Sequence, residues 1–245
     1  LNLIKDLKKY KFDKIFIFNS SLRYNLIARF SNIPEIYQYP LFNKNKQHIT
    51  DTPKKFIKDK FDINVNEDPS IQISNELKSE AMKKFQIYNN DLNILLGIGG
   101  SGPTKRIPSR TFLEFIDKIL KIKKCKFFLA TGKNYEEQVI LNEILDTKFR
   151  NFCVPLDKLS IKETLPIIKC CNLSVCNDTS FSHLSAALGI KTITLMADTP
   201  LIYGNYSSKM FPVIPDGENT VTHNTLGKDK IDPQRIFERF LEIIV

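Results

Sequence analysis

Asn177-Asp178-Thr179-Ser180-Phe181-Ser182-His183-Leu184-Ser185-Ala186-Ala187-Leu188-Gly189 follows directly on the apolar run Leu173 to Cys176. The run reads as a buried strand, and the Ala- and Leu-rich stretch reads as a short helix that Gly189 closes. An Asp-Thr-Ser cluster at this junction sets polar side chains and free backbone N–H groups at a helix N-terminus. That end carries partial positive charge and attracts anions, phosphate above all. The pair of elements therefore implies a phosphate site at the carboxyl edge of a parallel sheet. Read alone, Asp178 or Thr179 serves equally well as a plain N-cap.

A second strand pattern, Asp91 to Gly97, leads into Ile98-Gly99-Gly100-Ser101-Gly102-Pro103-Thr104-Lys105-Arg106-Ile107-Pro108. Gly97, Gly99 and Gly102 match G-x-G-x-x-G by letter, but the dinucleotide fingerprint needs its glycines to open a helix at once. Here Pro103 and Pro108 delay the helix to about Ser109, and the region some 20 residues on is the Lys-rich Lys121 to Lys126. The Walker pattern fails as well, because Pro-Thr follows Gly102. What remains is a glycine-rich loop with a Thr-Lys-Arg tip: its backbone can approach a ligand closely and its cation can meet a phosphate. A third strand pattern, Cys125 to Gly132, ends in Thr-Gly and leads through Lys133-Asn134-Tyr135-Glu136 into a helix. Glu136 is placed to hydrogen-bond ribose hydroxyls, or else it complements the helix dipole.

The order Gly-x-Gly-x-x-x-Thr-Lys-Arg-x-Pro, Thr-Gly-x-x-x-Glu, Asn-Asp-Thr-Ser-x-x-His-Leu-x-Ala-Ala-Leu-Gly resembles glycosyltransferase family 9, the lipopolysaccharide heptosyltransferase family. Ser20 to Arg29 is similar to the family's strand-loop-helix in the N-terminal lobe. His48 and the helical run to Asp62-Ile63 resemble its inter-lobe stretch. Leu195 to Pro200, with Tyr203-Gly204, resembles the turn after the last ligand-side strand. The likeness runs along nearly the whole chain.

The resemblance implies an α/β fold of the GT-B type, two Rossmann-like lobes facing across a cleft. It also implies a metal-independent, inverting transfer with no cofactor. The donor is a nucleotide-diphosphate sugar, ADP-heptose-like, and the acceptor is a lipopolysaccharide core or related glycan. Carried over, Lys105 meets the donor phosphate, Thr104 and Ser101 line the loop, and Glu136 takes the ribose. Asp178, Thr179 and Ser180 form the phosphate cradle, with His183 one turn in. Preorganised N–H donors and one lysine suffice to stabilise the charge that develops on a departing diphosphate. His183 has a second reading as a packing residue on the helix face.

Ser180 stands where the family usually has glycine. The chain opens at Leu1 on a helical run and enters the N-terminal lobe partway. The family's opening strand and glycine-rich loop, with its Gly-Asp and base carboxylate, have no counterpart. The N-terminal lobe is therefore expected to be incomplete: either the sequence is a fragment of a longer protein, the favoured reading, with the catalytic base in the missing segment, or the lobe is natively short. Arg23, at the start of a lobe-one helix, is a candidate contact for an anionic acceptor or a plain surface cation.

Strands and helices alternate throughout, which implies a parallel sheet covered on both faces. The polar stretch Asn64 to Ser70 divides the chain into an acceptor-side lobe over residues 1–70 and a nucleotide-sugar-binding lobe over residues 71–245. In the second part, strands are expected near 92–97, 125–131, 150–153, 173–176 and 191–196. Helices are expected near 109–122, 134–146, 160–170, 180–188 and 232–244, and Ser74 to Tyr88 reads as an amphipathic helix or an extended lead-in. Ser160 with Glu163 is a capping box, and Asp232-Pro233 sets an N-cap before a proline at the first helical position. Pro215 to Lys230 is a polar surface loop bordering the cleft.

The 245 residues carry a formal charge of +9. Nucleic acid is not the partner implied, because the lysines spread over helix faces and form no aromatic-interleaved stripe. A positive surface suits an anionic donor and peripheral contact with the inner face of the inner membrane. Five cysteines without Cys-x-x-Cys spacing read as reduced core thiols of a cytoplasmic protein. Three scattered histidines offer no metal site. Two rivals remain: a homologue that keeps the nucleotide pocket without the chemistry, and a two-lobed nucleotide-sugar epimerase, which needs further acid/base groups.

Overall fold

The computed structural model describes residues 2–41, 49–88, 90–100 and 102–244. His48 lies outside them. The chain divides into two compact units, Leu1–Glu67 and Asp68–Val245. The first holds α1 (Asn2–Tyr10), β1 (Lys14–Ile17), α2 (Leu22–Phe30), β2 (Glu35–Gln38) and α3 (Asp51–Phe61). The second runs α4 (Asn75–Lys84), β3 (Leu92–Gly97), α5 (Ser109–Ile122), β4 (Cys125–Ala130), α6 (Tyr135–Leu145), β5 (Cys153–Pro155) and α7 (Ile161–Lys169). It continues with β6 (Leu173–Asn177), α8 (Ser180–Ala187), β7 (Thr192–Leu195), β8 (Met210–Val213) and α9 (Pro233–Ile244).

In the first unit β1 and β2 pair in parallel, Lys14 opposite Glu35 and Ile17 opposite Gln38. Successive strand side chains point to opposite faces, so the pair sorts its residues by parity. Ile15, Ile17 and Ile36 pack with Ala28 of α2 and with Ile33. Phe16 and Tyr37 lie on the other face against Phe61 of α3, with ring centroids 4.9–5.5 Å apart.

The second unit is a six-stranded parallel sheet in the order β5-β4-β3-β6-β7-β8. Counted from its own first strand this is 3-2-1-4-5-6, the doubly wound Rossmann order, and it reverses direction between β3 and β6. Both faces of the central strands are apolar, as a sheet covered on each side requires. Leu92, Ile94 and Leu96 of β3 join Phe127 and Leu129 of β4 in one core with Phe112, Phe115 and Ile116 of α5 and Phe240 of α9. Leu95, Phe128 and Cys176 point the other way, to Ala81 of α4 and to Ile167 and Ile168 of α7. Each such side chain contributes ~1.5–3 kcal/mol when fully buried, so these two faces outweigh any local helix or strand preference. No helix among the described residues is long and apolar enough to cross a membrane.

Local signals act where they were read. Ser160 and Glu163 form both halves of the capping box. Asp232 Oδ1 accepts the Gln234 N–H at 2.8 Å. Gly189 sits at φ +81° and donates to Ala186 O, while Ile190 donates to Ser185 O. That is a Schellman closure of α8, and its left-handed residue is one glycine fills without strain.

Three expectations are corrected. The stretch 74–88, read as a helix or an extended lead-in, is a helix that stops at Lys84, because Gln86 adopts φ +51° and the N–H of Ile87 turns back to Met82 O. The strand expected near 150–153 begins at Cys153, after a 3-10 turn over Arg150–Phe152. Finally, β8 was not expected. Its Met-Phe-Pro-Val carries a proline, which has no N–H to donate, and such a strand is tolerated only at a sheet edge, where β8 lies.

Candidate functional site

The loops leaving β3, β4, β5 and β6 all emerge at the carboxyl edge of the sheet, and between them lies a cleft of about 510 Å³. Its floor is backbone and small side chains: Gly99, Gly100, Thr131 and Gly132. Thr179 and Ser180 form one wall, and Leu156, Leu159, Ile161 and Phe181 give it an apolar end. An open α/β sheet binds ligands at the point where its strand order reverses, because the flanking loops diverge there. The cleft occupies that place.

Asn177 ties the switch point together. The residue is fully buried, and its Nδ2 donates to Ile98 O at 2.9 Å and to Gly99 O at 3.0 Å. Two carbonyls of the glycine loop, which sheet pairing leaves unused, are thereby satisfied. The sequence reading ends the strand at Cys176, puts Asn177 first in the turn that follows, and assigns it no role in the site. A carboxamide at the last position of a wholly buried strand was the available signal.

Glu137 is the carboxylate that faces the cleft. It is buried and lines the cavity, and its Oε1 accepts the Gly100 N–H at 2.6 Å. Asn134, the N-cap of α6, takes the Glu137 N–H on its side-chain oxygen at 2.9 Å and donates its Nδ2 back to the Glu137 carboxylate. Close packing makes the flanking glycines necessary: a Cβ at Gly99 or Gly132 would fall on the Glu137 carboxylate. Glu136, expected to meet the ribose, is exposed in the first turn of α6 and does not line the cleft. The third position of a helix points its side chain back over the N-cap, and the second does not. The spacing of Asn134 to Glu137 carried that information.

Lys105 and Asp178 come from opposite sides of the switch point. Lys105 Nζ lies 2.7 Å from Asp178 Oδ2, with the Asp178 side chain 5% exposed and that of Lys105 31%. His183 Nε2 stands 4.0 Å from the other Asp178 oxygen. Burial holds the His183 imidazole below its ordinary pKa. Asp178 opposes that shift and Lys105 adds to it. On its other side, His183 Nδ1 lies 2.7 Å from the Tyr206 hydroxyl, and the two rings stack at 5.6 Å and 11°. Tyr206, in the β7–β8 connection, had no place in the sequence reading.

The structure thus brings Thr179 and Ser180 to the cleft wall and gathers Lys105, Asp178 and His183 into one connected group beside them. Thr104 occupies the turn before Lys105 and is not among the residues lining the cavity. Ser101 lies outside the described residues. Thr179 is the N-cap of α8 and makes no side-chain capping bond; its Oγ1 is buried without a partner among the described residues. Of the first-turn N–H groups of α8, that of Ser182 turns back to Thr179 O at 3.1 Å, and those of Ser180 and Phe181 have no acceptor within the helix. A lysine, a helix N-terminus and a backbone-lined floor can hold an anion, and the apolar end can hold a flat ring.

The loop expected to border the cleft is pinned to the end of β7. Asp198 Oδ1 accepts the Leu226 N–H at 2.8 Å, and Gly227 donates to Ala197 O at 3.0 Å. All five cysteines are free, and burial pushes the Cys153 and Cys176 thiols up to about 12. They are packing residues. Among the described residues, no group of three or more His, Cys, Asp or Glu side chains is placed to hold a metal ion.

Residues 1–215 match the sequence profile of glycosyltransferase family 9 (heptosyltransferase). Lipopolysaccharide heptosyltransferase 1 of Campylobacter coli is 27% identical over 164 residues, which make up 65% of this chain and 47% of that protein. The chain therefore spans about half the length of the curated relative it matches. Among solved structures, E. coli ADP-heptose lps heptosyltransferase II is similar at a TM-score of 0.78 and 20% identity, over 99% of this chain and 79% of that one. An E. coli heptosyltransferase solved with ADP gives 0.69 at 13% identity, over 98% and 75%. The likeness to these two structures is one of fold.

Proposed function

The chain belongs to glycosyltransferase family 9, and on that premise we propose that the Asp68–Val245 unit holds the nucleoside diphosphate of an ADP-heptose-like donor. The whole protein then moves the sugar to a lipopolysaccharide-core acceptor, with inversion, and the Leu1–Glu67 unit serves the acceptor. The single observation that carries this reading is the meeting of Lys105 with Asp178 across the switch point, one residue before the N-cap of α8. A cation and a set of orphan N–H donors there favour a diphosphate at that spot. Glu137 is the ribose partner in this reading, and the apolar end at Leu156, Leu159 and Ile161 takes the base.

As the glycosidic bond breaks, negative charge grows on the diphosphate. Donors already aimed at that charge lower the barrier without reorganising. Lys105 supplies a cation. The first turn of α8 supplies N–H groups. His183, kept neutral near pH 7 by burial, supplies an N–H and not a fixed charge.

The test is calorimetric titration of the chain with ADP, UDP, GDP and CMP. Saturable binding of ADP, tighter than that of the other three, is expected. Failure of every nucleotide to bind would overturn the reading. ADP binding by the whole protein with no release of ADP from an ADP-heptose donor, in the presence of a lipopolysaccharide-core acceptor, would point to a homologue that binds without transferring.

A further inference from the structure

Tyr206 reaches the site from the β7–β8 connection, one crossover beyond the elements that build the cleft. Its hydroxyl is 2.7 Å from His183 Nδ1, and its ring lies parallel to the imidazole, 11° off at 5.6 Å between centroids. A parallel stack together with a hydrogen bond at one ring nitrogen removes the freedom of the imidazole to flip or swing. From the geometry we infer that Tyr206 is a positioning residue: it fixes His183 as the tautomer that carries its proton on Nε2, directed toward Asp178 and the bound diphosphate.

Two arrangements satisfy the short contact. In one, the Tyr206 O–H donates to Nδ1 and the imidazole proton sits on Nε2. In the other, Nδ1–H donates to the Tyr206 oxygen and Nε2 bears a lone pair. Asp178 decides between them. Its Oδ1 lies 4.0 Å from Nε2, so a lone pair there would face a buried carboxylate, whereas an N–H is attracted to it. The bond made by one imidazole nitrogen sets what the other can do.

The charged and titratable groups around the pair are few. Lys105 comes from the β3–α5 loop and Asp178 from the end of β6, and both act on the imidazole. Asp68, in the lead-in to α4, and Asp178 act on the Tyr206 hydroxyl, which burial holds above its ordinary pKa. A tyrosine so placed keeps its proton and remains a donor. Since donation to Nδ1 favours the uncharged ring, Tyr206 also helps keep His183 neutral.

The purpose of this arrangement rests on the diphosphate reading above; the tautomer itself does not, and the experiment separates the two. Long-range ¹H–¹⁵N spectra of the histidine side chains, assigned with His183→Gln, should show the wild-type His183 at pH 7.5 as the neutral Nε2–H form. In Tyr206→Phe both tautomers should be populated and the titration midpoint of His183 should rise. ADP affinity should fall about tenfold, the usual size of one lost hydrogen bond. Glutamine keeps a donor near the Nε2 position without needing Tyr206, so adding Tyr206→Phe to His183→Gln should weaken ADP binding less than twofold further.

An Nδ1–H form in the wild type, or an unchanged tautomer and midpoint in Tyr206→Phe, would overturn the inference. If Tyr206→Phe fails to fold, the wild-type spectrum decides it. A wild type that binds no nucleotide defeats the functional reading, while the spectra still judge Tyr206.

Discussion

Lys105 Nζ and Asp178 Oδ2 stand 2.7 Å apart although 73 residues separate them in the chain. One belongs to the loop after β3 and the other to the end of β6. Their pairing puts a cation next to the residue that precedes the Thr179 wall of the cleft and neutralises a carboxylate that is nearly buried.

Lys105→Ala should therefore do two things. It leaves Asp178 unpaired in a buried position, which should destabilise the fold by ~1–3 kcal/mol. It should also weaken nucleoside diphosphate binding by ~1.5–3 kcal/mol, the range for a charge-assisted contact. Urea unfolding and calorimetry read the two effects separately. Adding Asp178→Asn should recover much of the stability but not the binding, as coupled partners do in a double-mutant cycle. Additive stability losses would mean that the pair is not coupled.

Glu137→Gln and Glu136→Gln should differ sharply. The first weakens the bond to Gly100 N–H and removes the acceptor offered to the ribose, so binding of ADP should drop by ~1.5–3 kcal/mol. Binding of 2′-deoxy-ADP should drop less. The second changes an exposed side chain and should stay within ~0.5 kcal/mol on both counts. Calorimetry with the two nucleotides checks this. Equal losses for both in Glu137→Gln would exclude the ribose role.

Gly132→Ala and Gly99→Ala separate binding from folding. The three atoms nearest a methyl at Gly132 all belong to the Glu137 carboxylate, the far end of a side chain. Nucleotide affinity should fall while stability changes by less than ~1 kcal/mol. At Gly99 the methyl also meets Thr131, including its Cα at 3.1 Å, so the backbone must give way. Thermal unfolding should then show a loss of ~1–3 kcal/mol, the range for overpacking. Similar stability for both variants would show that the loop relaxes freely.

His183 should make the fold weaker in acid. Its pKa is lowered in the folded chain, chiefly by burial. Between that lowered value and the unfolded value of about 6.5, the unfolded chain binds the extra proton. The contribution of His183 is thus fully present above about pH 6.5, is lost as pH falls below it, and levels off under the folded value. Urea midpoints from pH 7.5 to 5 should decline less steeply in His183→Gln than in the wild type. Identical slopes would refute this.

Much of the second unit was legible because its strands are long apolar runs and its helices carry end signals. Ser160 with Glu163, Asp232 with Pro233, and Gly189 each act within four residues, where the chain's own covalent geometry sets what can touch. The same locality explains why the loop after β3 and the start of α8 stood out as anion-binding turns. Where the reading slipped, a distant partner had decided. The capping spacing of Asn134 to Glu137 favours Glu137 over Glu136 locally, but that its carboxylate turns toward Gly100, 37 residues away, is set by the fold. β8 is a strand only because β7 offers it a free edge, so Pro212 does no harm there.

From the residues alone came the alternation of strands and helices, the parallel sheet, the family likeness and the turns that would meet a phosphate. These follow from periodicity and capping, which depend on neighbours in sequence. The strand order, the pairing of Lys105 with Asp178, the Asn177 clasp and the arrival of Tyr206 at His183 were decided only by folding. Each joins groups that are far apart along the chain, and their side chains meet because two apolar faces must be buried at once.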